Sequence, residues 1–542
     1  MANRELNELL LRVARRAENA SPTVLREAFV PVPGLLAQLE CPEHQVLFGR
    51  RGTGKTHLWR HLCESRESAG ALAVYLDLRQ VGMAGDAFSV RQDDFAELAT
   101  SLLIDVVEQF HTQVYEAALT QRWSAHLDRL SGALDALADA ATQIRVVGET
   151  ELEHRQEAST TSTRGAALEL SVGRDPRASW RMDSARERSR RSVASRTDRG
   201  RETHHVLLGP LSAAFRALTA AIRPAPVWLL LDEWSALPLE LQPLLADLLR
   251  RTVFATSGMV VKISAIHGRS QFSEEGRGRG LTGLELGADT AATLDLDDFL
   301  LFRNNTVATL DFHSTLLHRH LTAMSARVGA VEGTAERAIA PSVPSTEVTR
   351  TLFASTSTFH TLVANAEGVP RDLLQIAGLA AGLAQDHPIG QTHVTAATRN
   401  FFLRDKDALI PQTSREVFKR LLEQAVRQRS RIIPLRRDGE SDDLAIEQLY
   451  DARVIHRVRQ GLGLDPQRPT ELYDVYVVDI GAFLGMIGNK QVRPWEDGLD
   501  AGARFADDGE IEVRGKSFVR LPPRWYRQPQ RNIASGSAAR PR

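Results

Sequence analysis

Gly49-Arg50-Arg51-Gly52-Thr53-Gly54-Lys55-Thr56 fits the pattern G-x-x-x-x-G-K-[ST] of a phosphate-binding loop. It stands after a short apolar run ending at Phe48 and before a helical run from Thr56 to about Glu64, which is the setting such a loop needs. The glycines let backbone N–H groups close round a β-phosphate, the Lys55 ammonium neutralises charge, and the Thr56 hydroxyl suits Mg²⁺. Gly49, Arg50, Arg51, Gly52, Thr53, Gly54, Lys55, Thr56 and His57 are therefore the expected nucleotide-binding residues. The lysine is itself informative. Of 67 basic residues six are lysine, and Lys55 is the only one before Lys262. A compact ammonium suits a narrow phosphate cradle better than a planar guanidinium fork.

A phosphate loop that hydrolyses its ligand needs acids. The apolar run Val227-Trp228-Leu229-Leu230-Leu231 ends in Asp232-Glu233. Read as a strand beside the phosphate-loop strand, it lets Asp232 hold the Mg²⁺ shell with Thr56, and lets Glu233 polarise water against a γ-phosphate. The next apolar run, residues 259–266, is read as a neighbouring strand, with Ser264 or His267 placed to sense that phosphate. Further buried strands are read at 45–48 and 73–78. Strands alternating with helices mean an α/β fold, a parallel sheet with helices on both faces.

Composition sets limits on partners. The chain has 542 residues, 43% hydrophobic and 25% charged, with a net charge of −1. Several domains are expected, and no global field marks a nucleic-acid or membrane partner. Cys41 and Cys63 are the two cysteines, so a disulfide framework is not expected and a reducing, cytoplasmic setting is. The sequence contains no apolar run of the ~20 residues that cross a bilayer.

The remaining chain divides by pattern. Residues 1–30 read as a short amphipathic helical segment, 31–345 as the phosphate-loop core, and 346–410 as an all-helical lid. Within the core, 92–145 carries long helical periodicity. About 150–205 is rich in Arg, Ser, Thr and Glu, and reads as a flexible insertion, either a solvated linker or a basic arm. Residues 411–485 read as helices followed by strands at 453–458 and 473–479, an order that suggests a winged helix. Arg427, Arg429, Arg431, Arg436 and Arg437 form a local basic cluster there, so DNA is the leading target and a protein partner the alternative. Residues 486–542 are a basic extension read as disordered at its end.

The segments GRRGTGKT (49–56), LLLDEWSALP (229–238), VKISAI (261–266), LELGAD (284–289), LDLDDF (294–299), GVPRD (368–372) and YDVYVVDIGAF (473–483) together resemble one family. It is the origin-recognition-complex-like branch of the AAA+ ATPases, close to the STAND signalling NTPases, over roughly 25–140 and 205–485. The resemblance implies a Rossmann-like ATPase core, a helical lid and a C-terminal winged helix, with ATP and Mg²⁺ as ligands. It implies Lys55 and Thr56 on phosphate and Mg²⁺, Asp232 and Glu233 as the Walker B pair, Ser264 near sensor 1 and Arg371 as sensor 2. Lys55, Asp232, Glu233 and Arg371 are then the catalytic set, in an assembly with further copies or a partner subunit. Bacterial members of this kind are linked to mobile elements or phage defence. The sequence departs from the family pattern in the 150–205 insertion and in the Gly/Arg-rich segment 268–280. An arginine finger among Arg250, Arg251, Arg269, Arg277 and Arg279 therefore stays open.

Overall fold

The computed structural model of the chain describes residues 3–14, 17, 20–32, 34–81, 95–120, 123, 126–141, 144–147, 201–204, 208–276, 280–300, 306–332, 343–428, 431–436, 444–463, 472–487, 503–505 and 511–513. In chain order the strands are β1 (Gln45–Phe48), β2 (Leu72–Asp77), β3 (Ile144–Val147), β4 (Arg201–His204), β5 (Val227–Asp232), β6 (Met259–Ala265), β7 (Ser273–Gly276), β8 (Gly280–Gly283), β9 (Ala292–Asp295), β10 (Ile432–Arg436), β11 (Ile455–Gly463) and β12 (Leu472–Val478), followed by the short pair Ala503–Phe505 and Ile511–Val513.

The central sheet has the order β2-β5-β6-β1-β9, and every pairing in it is parallel. This corrects one expectation. The Asp232 strand is not beside the phosphate-loop strand, because β6 lies between them. Strands β1, β2, β5 and β6 are buried on both faces, apart from the half-buried Tyr75, which is why each reads as a largely apolar run and why its neighbours cannot be read from the pattern alone.

Alternation along the strands sorts side chains between two cores. Val46, Leu229, Leu231, Val261 and Ile263 join one core with the helices Phe95–Ala118, Leu127–Ala141 and Leu208–Ala221. Leu47, Trp228, Leu230 and Val260 face the other, against Leu58, Trp59 and Leu62 of the helix Lys55–Ser68. Each such large side chain contributes about 1.5–3 kcal/mol by leaving water. The same parity puts Asp232, Lys262 and Ser264 on the face that carries the phosphate-loop helix.

The 92–145 region is two helices followed by β3, which pairs antiparallel with β4 across the insertion. The interior of that insertion, 148–200, lies outside the described residues, as does the chain from 488 apart from the short terminal strand pair. A third, all-helical core gathers Leu316, Leu317 and Leu321 of the helix Thr306–Glu332 with side chains from 345–401. The N-terminal helix Asn3–Arg12 joins it through Leu6, Leu9 and Leu10. Its Asn7 amide donates to the carbonyls of Gln385 (2.6 Å) and His387 (3.0 Å), closing the end of the helix Pro370–Ala384.

The C-terminal unit has its own core, from Phe402 to Leu484. The helices Gln412–Gln428 and Leu444–Asp451 and the helix Ile480–Ile487 pack on an antiparallel sheet of order β10-β12-β11. The sequence reading anticipated the last two strands; β10 is an addition, in a segment read only as part of a basic cluster.

Candidate functional site

The loop 49–54 turns between β1 and the helix Lys55–Ser68, leaving the first N–H groups of that helix for an anion. Gly52 and Gly54 have φ of 88° and 104°, a region that other L-residues enter only at a cost. A Cβ at Gly52 would also stand 2.8 Å from the Cβ of Arg371. The loop and the start of the helix Pro370–Ala384 are therefore in direct contact, and the Arg371 N–H donates to the Gly52 carbonyl at 3.2 Å.

A cleft of about 380 Å³ opens over this contact. Arg51, Gly52, Thr53, Gly54, Lys55, Thr56 and His57 line its floor, with Glu233, Arg79 and Arg371 beside them. Its other wall is apolar, from Phe29, Val30 and Val32 to Phe312 and Leu316. A polar floor with an apolar wall is the build of a site for a nucleotide-sized ligand. The His57 imidazole bonds to the Leu25 carbonyl through Nε2 (2.6 Å), which ties the segment before β1 to the phosphate-loop helix.

Lys55 Nζ donates to the carbonyls of Gly49 (2.7 Å) and Arg50 (3.1 Å). Burial pulls its ammonium below the ordinary lysine value; Glu233, Asp232 and Asp297 hold it up against that, and Arg371 adds to the lowering. Asp232 is fully buried. One carboxylate oxygen accepts from the Ser264 hydroxyl and from the Glu233 N–H (3.0 Å), the other from the Tyr75 hydroxyl (2.9 Å). Ser264 also accepts from the Glu233 N–H at 3.2 Å. The strand that separates β5 from β1 thus supplies the hydroxyl that orients the acid pair.

Glu233 sits at φ 60°, ψ 41°, left-handed backbone for a residue with a Cβ. Strain of this kind, about 1–3 kcal/mol, concentrates at working sites. It turns the side chain from the strand end into the cleft. Burial raises the Glu233 pKa, Asp232 raises it further, and Lys55 and Arg79 offset part of the rise. Arg79 was not singled out in the sequence. It follows β2, whose last residue Asp77 holds its guanidinium through both carboxylate oxygens (2.9 and 2.6 Å). The available signal was an apolar strand ending in an acid, the same signal that marked Asp232.

Thr56, Asp232 and Glu233 offer hard oxygen donors beside the phosphate floor. Among the described residues no group of three or more His, Cys, Asp or Glu side chains forms a metal cage. The donor set fits Mg²⁺, which takes one or two protein oxygens and fills its shell with phosphate and water.

The structure separates the other candidates. Ser264 is at the acid pair, whereas His267 bonds to Asp295 at 2.9 Å and stacks on Phe48, away from the cleft lining. Arg250 and Arg251 both pair with Asp247, and Arg269 pairs with Asp451 at 2.7 Å. Arg277 and Arg279 lie outside the described residues, as do Arg429 and Arg437. The Gly49 backbone frames the loop, since a Cβ there would meet the Thr53 hydroxyl at 2.9 Å. The Arg50 side chain points away from the cleft and is 1% exposed, paired with Asp297 at 2.9 Å. Arg431, counted in the basic cluster, is buried and pairs with Glu367 at 2.8 Å, so it is not part of an exposed basic surface.

No curated protein matches the chain. Residues 13–268, which span the phosphate loop, the acid pair and the Ser264 strand, match the ORC-CDC6-like family model.

Proposed function

We propose that the chain is an ATP-dependent switch of the AAA+ type that binds Mg²⁺–ATP in the cleft and hydrolyses it. The observation that carries this reading is the Asp232–Ser264–Glu233 cluster, a buried, fully hydrogen-bonded acid beside a strained acid aimed at the phosphate floor. The Thr56 hydroxyl and Asp232 would hold Mg²⁺, which supplies charge neutralisation at the phosphates. Lys55 binds the phosphates, Glu233 orients water and accepts its proton, and Arg371 reads the γ-phosphate from the lid. Glu233→Gln should keep binding of an ATP analogue and lower turnover about 100-fold or more, the scale of a general base. Hydrolysis at the wild-type rate in that variant would overturn the assignment.

The output we assign to the C-terminal unit, read as a winged helix, with duplex DNA as its first target and nucleotide-controlled assembly accompanying it. One observation favours a protein target instead. The helix Leu444–Asp451, which precedes the β11–β12 hairpin, already docks on protein: Tyr450 donates to Asp297 (3.3 Å) and Asp451 pairs with Arg269. Duplex binding with a steep negative salt dependence would support the DNA reading, and ATP-driven assembly without any duplex binding the protein reading.

A further inference from the structure

Three elements that converge on the expected γ-phosphate position are each bonded, through a nearby residue, to the C-terminal unit. In the phosphate loop, Arg50 Nη1 meets His456 Nδ1 at 2.5 Å, and Arg51 lies 3.7 Å from Asp451. Beyond the Ser264 strand, Arg269 pairs with the same Asp451. On either side of Arg371, Glu367 pairs with Arg431, and Asp372 pairs with Arg453 and with Lys406 (2.9 Å).

The Arg50, Arg431, Arg453 and Lys406 cations stand against the carboxylates of Asp297, Glu367, Asp372 and Asp479, so the buried charges balance. His456 completes the set. A guanidinium has only donors, so Nδ1 accepts from Arg50, and Nε2 carries the proton that is given to Asp479 at 3.1 Å. Burial, Arg50 and Lys406 hold the imidazole below its ordinary pKa despite Asp479, in keeping with this neutral form.

Arg50 belongs to both systems. Its carbonyl accepts from Lys55 Nζ and from the Thr53 hydroxyl (2.8 Å), inside the phosphate loop. Its guanidinium holds Asp297, His456 and the Glu367 carbonyl (3.1 Å). When Lys55 turns to a phosphate, the Arg50 carbonyl loses that donor and keeps the Thr53 hydroxyl, which changes the pull on the Arg50 peptide. The side chain cannot slide independently, because any unpaired buried charge is costly.

We propose that Arg50 is a latch that fastens the phosphate loop to the C-terminal unit through His456, so that loading of the loop shifts the docking of residues 402–487. This rests on the nucleotide-binding reading above. It makes the C-terminal unit the reporter of the nucleotide state, with His456 as a positioning residue that touches no ligand.

The test is hydrogen exchange of the full chain with and without a non-hydrolysable ATP analogue. Binding should change exchange in β11 and β12 by about 5-fold or more, the lower range of measured couplings. His456→Phe should still bind the analogue and lose that change. His456→Gln, whose amide can accept from Arg50 and donate to Asp479, should retain it. A wild-type chain that binds the analogue with no change in β11 and β12 overturns the latch, whatever the variants do, and so does a retained change in His456→Phe. A wild-type chain that fails to bind the analogue overturns the nucleotide reading and the latch with it.

Discussion

Arg50 and Arg51 are consecutive residues of one loop, yet one is 1% and the other 44% exposed. They mark two charged regions that meet at the phosphate loop. In the cleft, Lys55 and Glu233 are each held off their ordinary pKa values, the lysine downward and the acid upward, both chiefly by burial. At the junction with the C-terminal unit, burial is as complete, but every charge has its counter-charge. Asp372 and Asp479 stay below the ordinary carboxylate value because Arg453 and Lys406 outweigh burial, and Lys406 stays above its own because of those two acids. The contrast teaches what each region is for. Imbalance in the cleft leaves charge for a ligand to complete, whereas balance at the junction holds two parts of the chain together.

The contrast can be broken by removing one charge from each side. Asp297→Ala leaves Arg50 buried without its carboxylate and should cost about 3–5 kcal/mol in urea unfolding. Substituting the half-exposed pair Arg415–Asp407 should cost under about 1 kcal/mol. Equal losses for the two pairs would show that the junction is not a balanced buried network. Lys55→Ala should act oppositely, weakening ATP-analogue binding by about 100-fold, near the 2–5 kcal/mol lost when a buried charge pair loses one member. Its thermal stability should hold or rise, because a buried ammonium with a lowered pKa is a cost to the fold. A destabilised Lys55→Ala would place that lysine with the structural charges instead.

The smallest effect sharpens the cleft alone. In the mechanism proposed above Glu233 acts as its carboxylate, and its pKa is raised, so the rate of hydrolysis should fall as pH drops through a range above that of an ordinary glutamate. Arg79 lowers that pKa, so Arg79→Ala should move the acid limb of the pH–rate profile to higher pH. A limb that stays in place would separate Arg79 from Glu233.

Much of the cleft was legible because phosphate binding needs fixed residue types at fixed spacing. The glycines, Lys55 and Thr56 are local in sequence, and Asp232-Glu233 ends a run whose apolar character announces a buried strand. Arg371 opens a helix after a glycine and a proline, again a local signal. The junction was not legible. Asp297, Glu367, Asp372, Lys406, Arg453, His456 and Asp479 come from distant parts of the chain, and each alone reads as an ordinary polar residue, while Arg50 reads as a nucleotide-binding residue of the phosphate loop. Arg431 shows the hazard: sequence proximity grouped it with four other arginines, while its partner Glu367 is 64 residues away.

The sequence by itself determined the phosphate loop, the acid pair and the α/β class, because backbone φ, side-chain chemistry and apolar runs are properties of neighbouring residues. Only the tertiary structure decided that β6 lies between the Asp232 strand and the phosphate-loop strand, that Ser264 rather than His267 serves the acid pair, and that Arg50 faces the C-terminal unit. Those outcomes depend on strand order and on which buried charges find each other, and both are settled by packing between segments far apart in the chain.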